Sequence, residues 1–125
     1  MEIWHNPRCS KSRTAKAALD AAHPDHVERR YLDAPPSVAE LAEVLDKLGL
    51  EPWDITRMKE ARARELRLAD EPKDRARWLA LLAENPVLIE RPIVITDDGR
   101  AFVARDPRTV ADALAVLRPR GTGTR

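Results

Sequence analysis

Cys9 is the single cysteine in a chain of 125 residues, and its surroundings in sequence are polar. The local run is His5-Asn6-Pro7-Arg8-Cys9-Ser10-Lys11-Ser12-Arg13, and helical spacing takes over from Ser10. A thiol at that point meets the unpaired N–H groups and the positive end of a helix. Arg8, Lys11 and Arg13 add cations. Each of these favours the thiolate, the form that attacks disulfides and other electrophiles. Helix N-terminal N–H groups also bind oxyanions. One feature therefore points both to a nucleophile and to an anionic substrate for it. A lone cysteine is ordinarily a buried, inert apolar residue, but no hydrophobic neighbour adjoins this one.

The arginines supply the other candidates. Lys and Arg together number 22, and the default for such side chains is solvated surface. Arg91 stands between Val87-Leu88-Ile89 and Pro92-Ile93-Val94-Ile95. A charge inside an apolar run needs a partner, and a bound oxyanion is one candidate. Arg105 ends the hairpin's second strand, immediately before a helix cap, and Arg57 follows Trp53-Asp54-Ile55. Spacing alone leaves a site role open for Arg91 and gives Arg57 and Arg105 a weaker claim. Arg62, Arg64 and Arg67 read as a solvated helix face. His5 and Asn6 either orient the Cys9 loop or simply end a strand. His5, His23 and His26 form no convincing metal-ligand set with Cys9.

The elements that must position these residues are legible in outline. Glu2 to His5 reads as a short strand, and the helix from Ser10 to Ala22 ends at His23-Pro24. Val27 to Tyr31 suits a second strand, which implies a right-handed parallel crossover. Ser37 is an N-cap, with Glu40 completing a capping box. Val38, Leu41, Val44, Leu45 and Leu48 then repeat with helical period, and Gly49 closes the helix. Glu51 to Glu84 reads as helical and charged, punctuated by Pro52 and Pro72, with a helix over Lys73–Ala83. Val87-Leu88-Ile89, Ile93-Val94-Ile95 and Ala101-Phe102-Val103 are β-rich, and Asp97-Asp98-Gly99 is a hairpin turn. Asp106-Pro107 opens a last helix that turns Val110, Ala113, Leu114 and Leu117 inward. The order is β-α-β, a helical insertion at about 37–84, then β-β-α. That is an α/β, thioredoxin-like plan with a mixed sheet. One domain over 1–118 is expected, with a disordered tail at 119–125.

Composition narrows the function. Lys plus Arg (22) nearly balances Asp plus Glu (21), which argues against a general nucleic-acid surface. One cysteine excludes an internal disulfide and suits a reducing compartment. Neither a signal peptide nor an apolar run of about 18 residues is visible. A soluble, cytoplasmic monomer is expected.

The Cys9 loop resembles the active-site loop of the thioredoxin-fold arsenate reductases of the glutaredoxin-coupled kind. Asn85-Pro86-Val87-Leu88-Ile89-Glu90-Arg91-Pro92-Ile93-Val94 resembles their second signature. Tyr31-Leu32-Asp33-Ala34-Pro35-Pro36, Lys59-Glu60-Ala61 and Glu65-Leu66 match as well, so the likeness covers about residues 2 to 117. The resemblance implies that Cys9 attacks arsenate and that Arg57, Arg91 and Arg105 hold the oxyanion and stabilise the thiolate. It also implies a cis bond between Arg91 and Pro92. His5, Asn6, Ser12, Arg13 and Pro92 are the supporting residues, Ser12 being placed to donate to the thiolate or its adduct.

Without a second cysteine the chain cannot resolve such an adduct. Glutathione or another low-molecular-weight thiol is then the co-substrate, with glutaredoxin or an equivalent protein as partner. No bound cofactor is expected. A glutathione-dependent thiol reductase of the same fold would share the Cys9 loop and differ in the arginines. An RNA-polymerase-binding regulator of the same fold commonly carries Cys-x-x-Cys, and here the second position is Ser12. The phosphatase-like arsenate reductases use Cys-x5-Arg, and that position here is Ala15.

Overall fold

Four strands of three residues each build one mixed sheet in the order β2-β1-β3-β4. They are β1 (Glu2–Trp4), β2 (Val27–Arg29), β3 (Ile93–Ile95) and β4 (Ala101–Val103). β1 runs parallel to β2 and antiparallel to β3, and β3 and β4 form an antiparallel hairpin. Between β1 and β2 lies α1 (Ser10–Ala22), and after β4 comes α5 (Pro107–Leu117). This is the thioredoxin-like arrangement expected from the sequence. The computed structural model describes residues 1–117, so the expected tail at 119–125 lies outside the described residues. Two compact units emerge, one of Met1–Arg29 with the chain from Arg91, the other of Arg30–Glu90.

Side-chain alternation along the strands decides the first unit's core. Ile3 and Val94 face each other across β1 and β3 and pack with Ala15 and Leu19 of α1, Ala104, and Ala113 of α5. Phe102, Val110 and Leu114 close around them. The small residues at Ala15, Ala104 and Ala113 let the helices approach the sheet closely. Trp4 and Ile93 fall on the opposite face by the same period of two and are also buried. The Arg29 guanidinium stands 5.6 Å from the Trp4 ring centroid, within cation–π range. Each fully buried large side chain contributes about 1.5–3 kcal/mol. The hairpin turns at Gly99, whose φ of +89° suits a residue without Cβ.

The second unit is helical. α2 (Val38–Leu48) opens with the expected capping box: Glu40 N–H donates to Ser37 Oγ at 3.1 Å, and Ser37 N–H donates to Glu40 Oε1 at 2.9 Å. It closes at Gly49 in the left-handed region, φ +70°. Leu41, Val44 and Leu45 are buried, and α2 packs on α4 (Arg75–Glu84), which buries Trp78, Leu79, Leu81 and Leu82. Trp53 meets Trp78 edge to face at 6.0 Å, and Trp78 Nε1 donates to the Pro72 carbonyl.

Several expectations need correction. The second strand stops at Arg29 because Asp33 and Ala34 N–H groups turn back onto the Arg30 carbonyl, leaving Tyr31 buried in a turn. The stretch from Glu51 is not continuous helix. It breaks into a 3-10 turn at Pro52–Ile55, α3 (Ala61–Glu65) and a 3-10 turn at Leu68–Asp70. Pro52 starts the first piece, and Arg67, at φ +58°, ends the second. α4 begins two residues later than expected, at Arg75, because Asp74 is its cap and accepts from Ala76 N–H. Val87-Leu88-Ile89 is not a strand. Pro86–Leu88 is a 3-10 turn, and Ile89 makes a single bridge to Thr56. Val38, expected on the inner face of α2, is exposed.

Candidate active site

The chain between β1 and α1 is pinned at nearly every residue. His5 N–H donates to the Arg29 carbonyl at 2.8 Å, which carries the loop off the sheet. Asn6 closes the turn in two ways: its carbonyl accepts from Cys9 N–H at 3.0 Å, and its Oδ1 accepts from Arg8 N–H at 3.0 Å. Arg13 reaches back with Nη1 to the Pro7 carbonyl at 3.0 Å. Cys9 is then the N-cap of α1, with extended backbone (φ −100°, ψ 125°), and its carbonyl accepts from Arg13 N–H at 2.9 Å.

Ser12 is completely buried. Its Oγ lies 2.8 Å from His5 Nδ1 and accepts from Asn6 N–H at 2.9 Å. The hydroxyl therefore ties the loop to the end of β1. What Ser12 offers the sulfur is its backbone N–H. The loop is thus shaped by a His5–Ser12–Asn6 triangle that sequence reasoning did not see, because its members are six and seven residues apart.

The thiol itself is partly exposed. Burial works against its ionisation, but the Ser12 N–H, the charge of Arg91, the Lys11 N–H and a hydrogen bond from Arg91 together outweigh it. The thiol ionises below its ordinary value of 9.0. The cause is local and geometric: two first-turn N–H groups and one guanidinium converge on one sulfur.

Arg91 precedes a cis peptide bond to Pro92. Two neighbouring carbonyls at this bond are held from the chain just beyond β4. Arg105 Nη1 donates to the Arg91 carbonyl at 2.9 Å, and Ala104 N–H donates to the Pro92 carbonyl at 2.9 Å. Arg105 lies two residues beyond β4 rather than at its end. Cys9, Arg91 and Arg105 therefore belong to one unit, joined by hydrogen bonds from Arg105 to Arg91 and from Arg91 to the thiol. Arg57 belongs to the helical unit. There it forms an ion pair with Glu60 at 2.9 Å and donates its own N–H to the Leu88 carbonyl.

The first turn of α1 and the start of α5 line an open cleft of about 280 Å³, bordered by Ser10, the residue after Cys9. Lys11 and Arg105 stand in its wall together with Asp106. The Asp106 carboxylate caps α5 by accepting from Thr109 N–H at 2.8 Å and the Thr109 hydroxyl at 2.9 Å. The two Thr109 bonds hold its carboxyl below the usual range against desolvation, with lesser help from the Arg108 N–H and the Lys11 charge. The expected cap at Asp106 is there, but nothing in the one-dimensional pattern announced the cleft.

Comparison with known proteins agrees with this geometry. The family model described as "ArsC family" matches residues 4–113. A Streptomyces viridochromogenes protein from the glnII region, described as uncharacterized, is 52% identical over 118 residues, covering 92% of this chain and 99% of that protein. The arsenate reductase of Neisseria meningitidis serogroup A is 40% identical over 106 residues, covering 84% of this chain and 90% of its own. Among solved structures, an arsenate reductase from Vibrio cholerae superposes with a TM-score of 0.80 at 39% identity, covering 94% of this chain and 98% of that one. A cysteine capping the first helix, an arginine before a cis-proline and matches of this extent leave one assignment: the chain belongs to the ArsC family.

Proposed function

We propose that this chain is an arsenate reductase whose nucleophile is Cys9. The observation that carries the proposal is the thiol held at the start of α1 under two backbone N–H groups and Arg91, ionised more readily than an ordinary thiol. Supporting it, the Neisseria and Vibrio relatives bear the name arsenate reductase at 40% and 39% identity.

The chemistry follows from the charges. The Cys9 sulfur replaces one oxygen of arsenate, which departs as water, and a bond forms between sulfur and As(V). Arg91 and Arg105 neutralise the oxygens that remain, and Arg57 is assigned to the same set by its place in the motif. One external thiol then displaces a second oxygen as water. A second external thiol attacks the first one's sulfur, a disulfide leaves, and two electrons stay on arsenic as As(III). Water finally frees arsenite and restores the Cys9 thiol. One arsenate and two thiols give one arsenite, one disulfide and one water. Both reducing thiols come from outside, because Cys9 is the chain's only cysteine. A small thiol such as glutathione and a glutaredoxin-type protein fill these two places.

The test is arsenate-dependent NADPH consumption with glutathione, glutaredoxin and glutathione reductase added. Turnover above the blank is expected from the native chain and none from Cys9→Ser. Turnover that survives Cys9→Ser would remove the proposed nucleophile.

A further inference from the structure

The chemistry proposed at Cys9 does not use Arg64 or Arg67, yet both border a second pocket. It lies wholly within the helical unit and measures about 260 Å³, lined by Met58, Ala63, Arg64, Arg67, Ala69 and Asp70. The backbone fixes the order of this wall. Arg67 N–H donates to the Arg64 carbonyl and Asp70 N–H to the Arg67 carbonyl, both at 3.0 Å. Leu68, buried between them, anchors the turn.

Charge in the wall is not balanced. Arg64 Nη1 donates to the Lys59 carbonyl at 2.9 Å, which fixes the guanidinium without neutralising it. Among the described residues no carboxylate pairs with Arg64. Arg67 and Asp70 oppose each other at 3.8 Å, past hydrogen-bond length. Two guanidiniums against one carboxylate leave one positive charge, the complement of a monoanion. A dianionic phosphate would also face the Asp70 carboxylate, so an organic carboxylate is the better match. Its two coplanar oxygens suit a guanidinium fork.

The rest of the wall is apolar. Ala63 is buried, and Met58 is 40% exposed. Thioethers and guanidiniums both pack well against aromatic rings. The volume lies just under the usual range for ligand pockets. Met58 is the one large apolar side chain in the wall, too little for a protein interface of about 800 Å² per partner.

We infer that this pocket binds a small aromatic carboxylate, with the carboxylate on Arg64 and Arg67 and the ring against Met58 and Ala63. The backbone of Arg67 agrees with that role. Its φ of +58° lies in the left-handed region, where glycine is the easier residue. Arginine there brings the pocket a charge that glycine could not. The pocket belongs to the unit that does not carry Cys9, so this inference stands or falls apart from the arsenate reading.

Benzoate is the probe, and benzamide is its uncharged counterpart of the same shape. Titrated into the full chain with ¹³C-labelled methyl groups, benzoate should give saturable shifts at the methyls of Met58, Ala63 and Ala69. Benzamide should bind at least about tenfold more weakly. Arg64→Ala should weaken benzoate about tenfold, the scale of one charge-assisted contact. Arg67→Gly should weaken it about threefold, as for a more exposed charge. Glycine takes the left-handed turn readily, so a loss of binding in that variant is a loss of charge rather than of fold. Shifts that do not saturate or that fall elsewhere overturn the inference. So does benzamide binding as tightly as benzoate, or native affinity in both arginine variants. Inorganic phosphate displacing benzoate at equal concentration would overturn the choice of a carboxylate.

Discussion

Around Cys9, arginines place donors on a sulfur and on backbone carbonyls; in the helical unit Arg57, Arg62, Arg67 and Arg75 pair with carboxylates. Arg57 and Arg64 also reach the Val87 and Lys59 carbonyls, and Arg62 the Asn85 side chain. Arg13 holds the Pro7 carbonyl, Arg105 the Arg91 carbonyl, and Arg91 the thiol. In the other unit Arg57 pairs with Glu60 at 2.9 Å, Arg62 with Glu65 at 3.1 Å and Arg67 with Asp70 at 3.8 Å, each three residues on. Arg75 bridges Glu51 at 2.5 Å and Asp46 at 3.1 Å. A carbonyl partner fixes a guanidinium and leaves its charge to act on something else. A carboxylate partner fixes it and cancels it. Counting cations along the chain would rank the basic stretch from Arg57 to Arg67 above the Cys9 loop, yet it is Arg91 that meets the thiol.

The comparison breaks most sharply at Arg57, which the family motif groups with Arg91 although its partner is a carboxylate. Arg91→Ala should lower kcat for arsenate about 10²–10³-fold, the cost of one oxyanion donor. Arg57→Ala should cost less, because the motif's third cation already shares its charge with Glu60. Arg62→Ala, an exposed pair of the same i,i+3 kind, should leave kcat within about twofold. Equal losses at Arg57 and Arg91 would show that a carboxylate partner does not withdraw a cation from the site. The pH profile of Cys9 alkylation sharpens the same point. Its midpoint should lie below 9.0 in the native chain. It should rise in Arg91→Ala, since removing a cation favours the neutral thiol.

Ser12→Ala comes next in size, and it acts on stability as well as chemistry. The substitution leaves His5 Nδ1 and Asn6 N–H without the hydroxyl that now joins them. About 1–3 kcal/mol should be lost, as for buried polar groups deprived of a partner. Urea unfolding should show a lower midpoint at an unchanged slope. A variant as stable as the native chain would mean that water replaces the hydroxyl, and that the loop is held by Asn6 and Arg13 instead.

The sequence carried those parts of the fold whose signals are local. A capping box spans four residues, a hairpin turn three, and an N-terminal helix cap one, so Ser37–Glu40, Asp97–Gly99 and Asp106 were all legible. The run Val87-Leu88-Ile89 was not, because a short apolar stretch has no period to separate strand from 3-10 turn. Pro86 ahead of it was the available hint. Nor was the break at Arg67, since only the backbone shows a left-handed residue when the side chain is not glycine. Cys9 stood out by its flanks and Arg91 by its apolar setting. Arg105 and Arg57 came through motif likeness, and the His5–Ser12 pair and the cleft at Lys11 and Asp106 depend on chain reversal that no spacing rule supplies.

The smallest effect tests what holds the helical unit if its ion pairs do little. Ser37→Ala removes the acceptor for Glu40 N–H while the rest of α2 is kept. It should lower stability by about 1 kcal/mol, more than Arg62→Ala, although no charge is lost. Ser37→Gly should cost only a few tenths, because glycine adopts the cap conformation and leaves the first-turn N–H groups open to water. Thermal unfolding of the three variants under one buffer gives the order. If Arg62→Ala proved the most costly, the carboxylate-paired arginines would be structural supports in their own right.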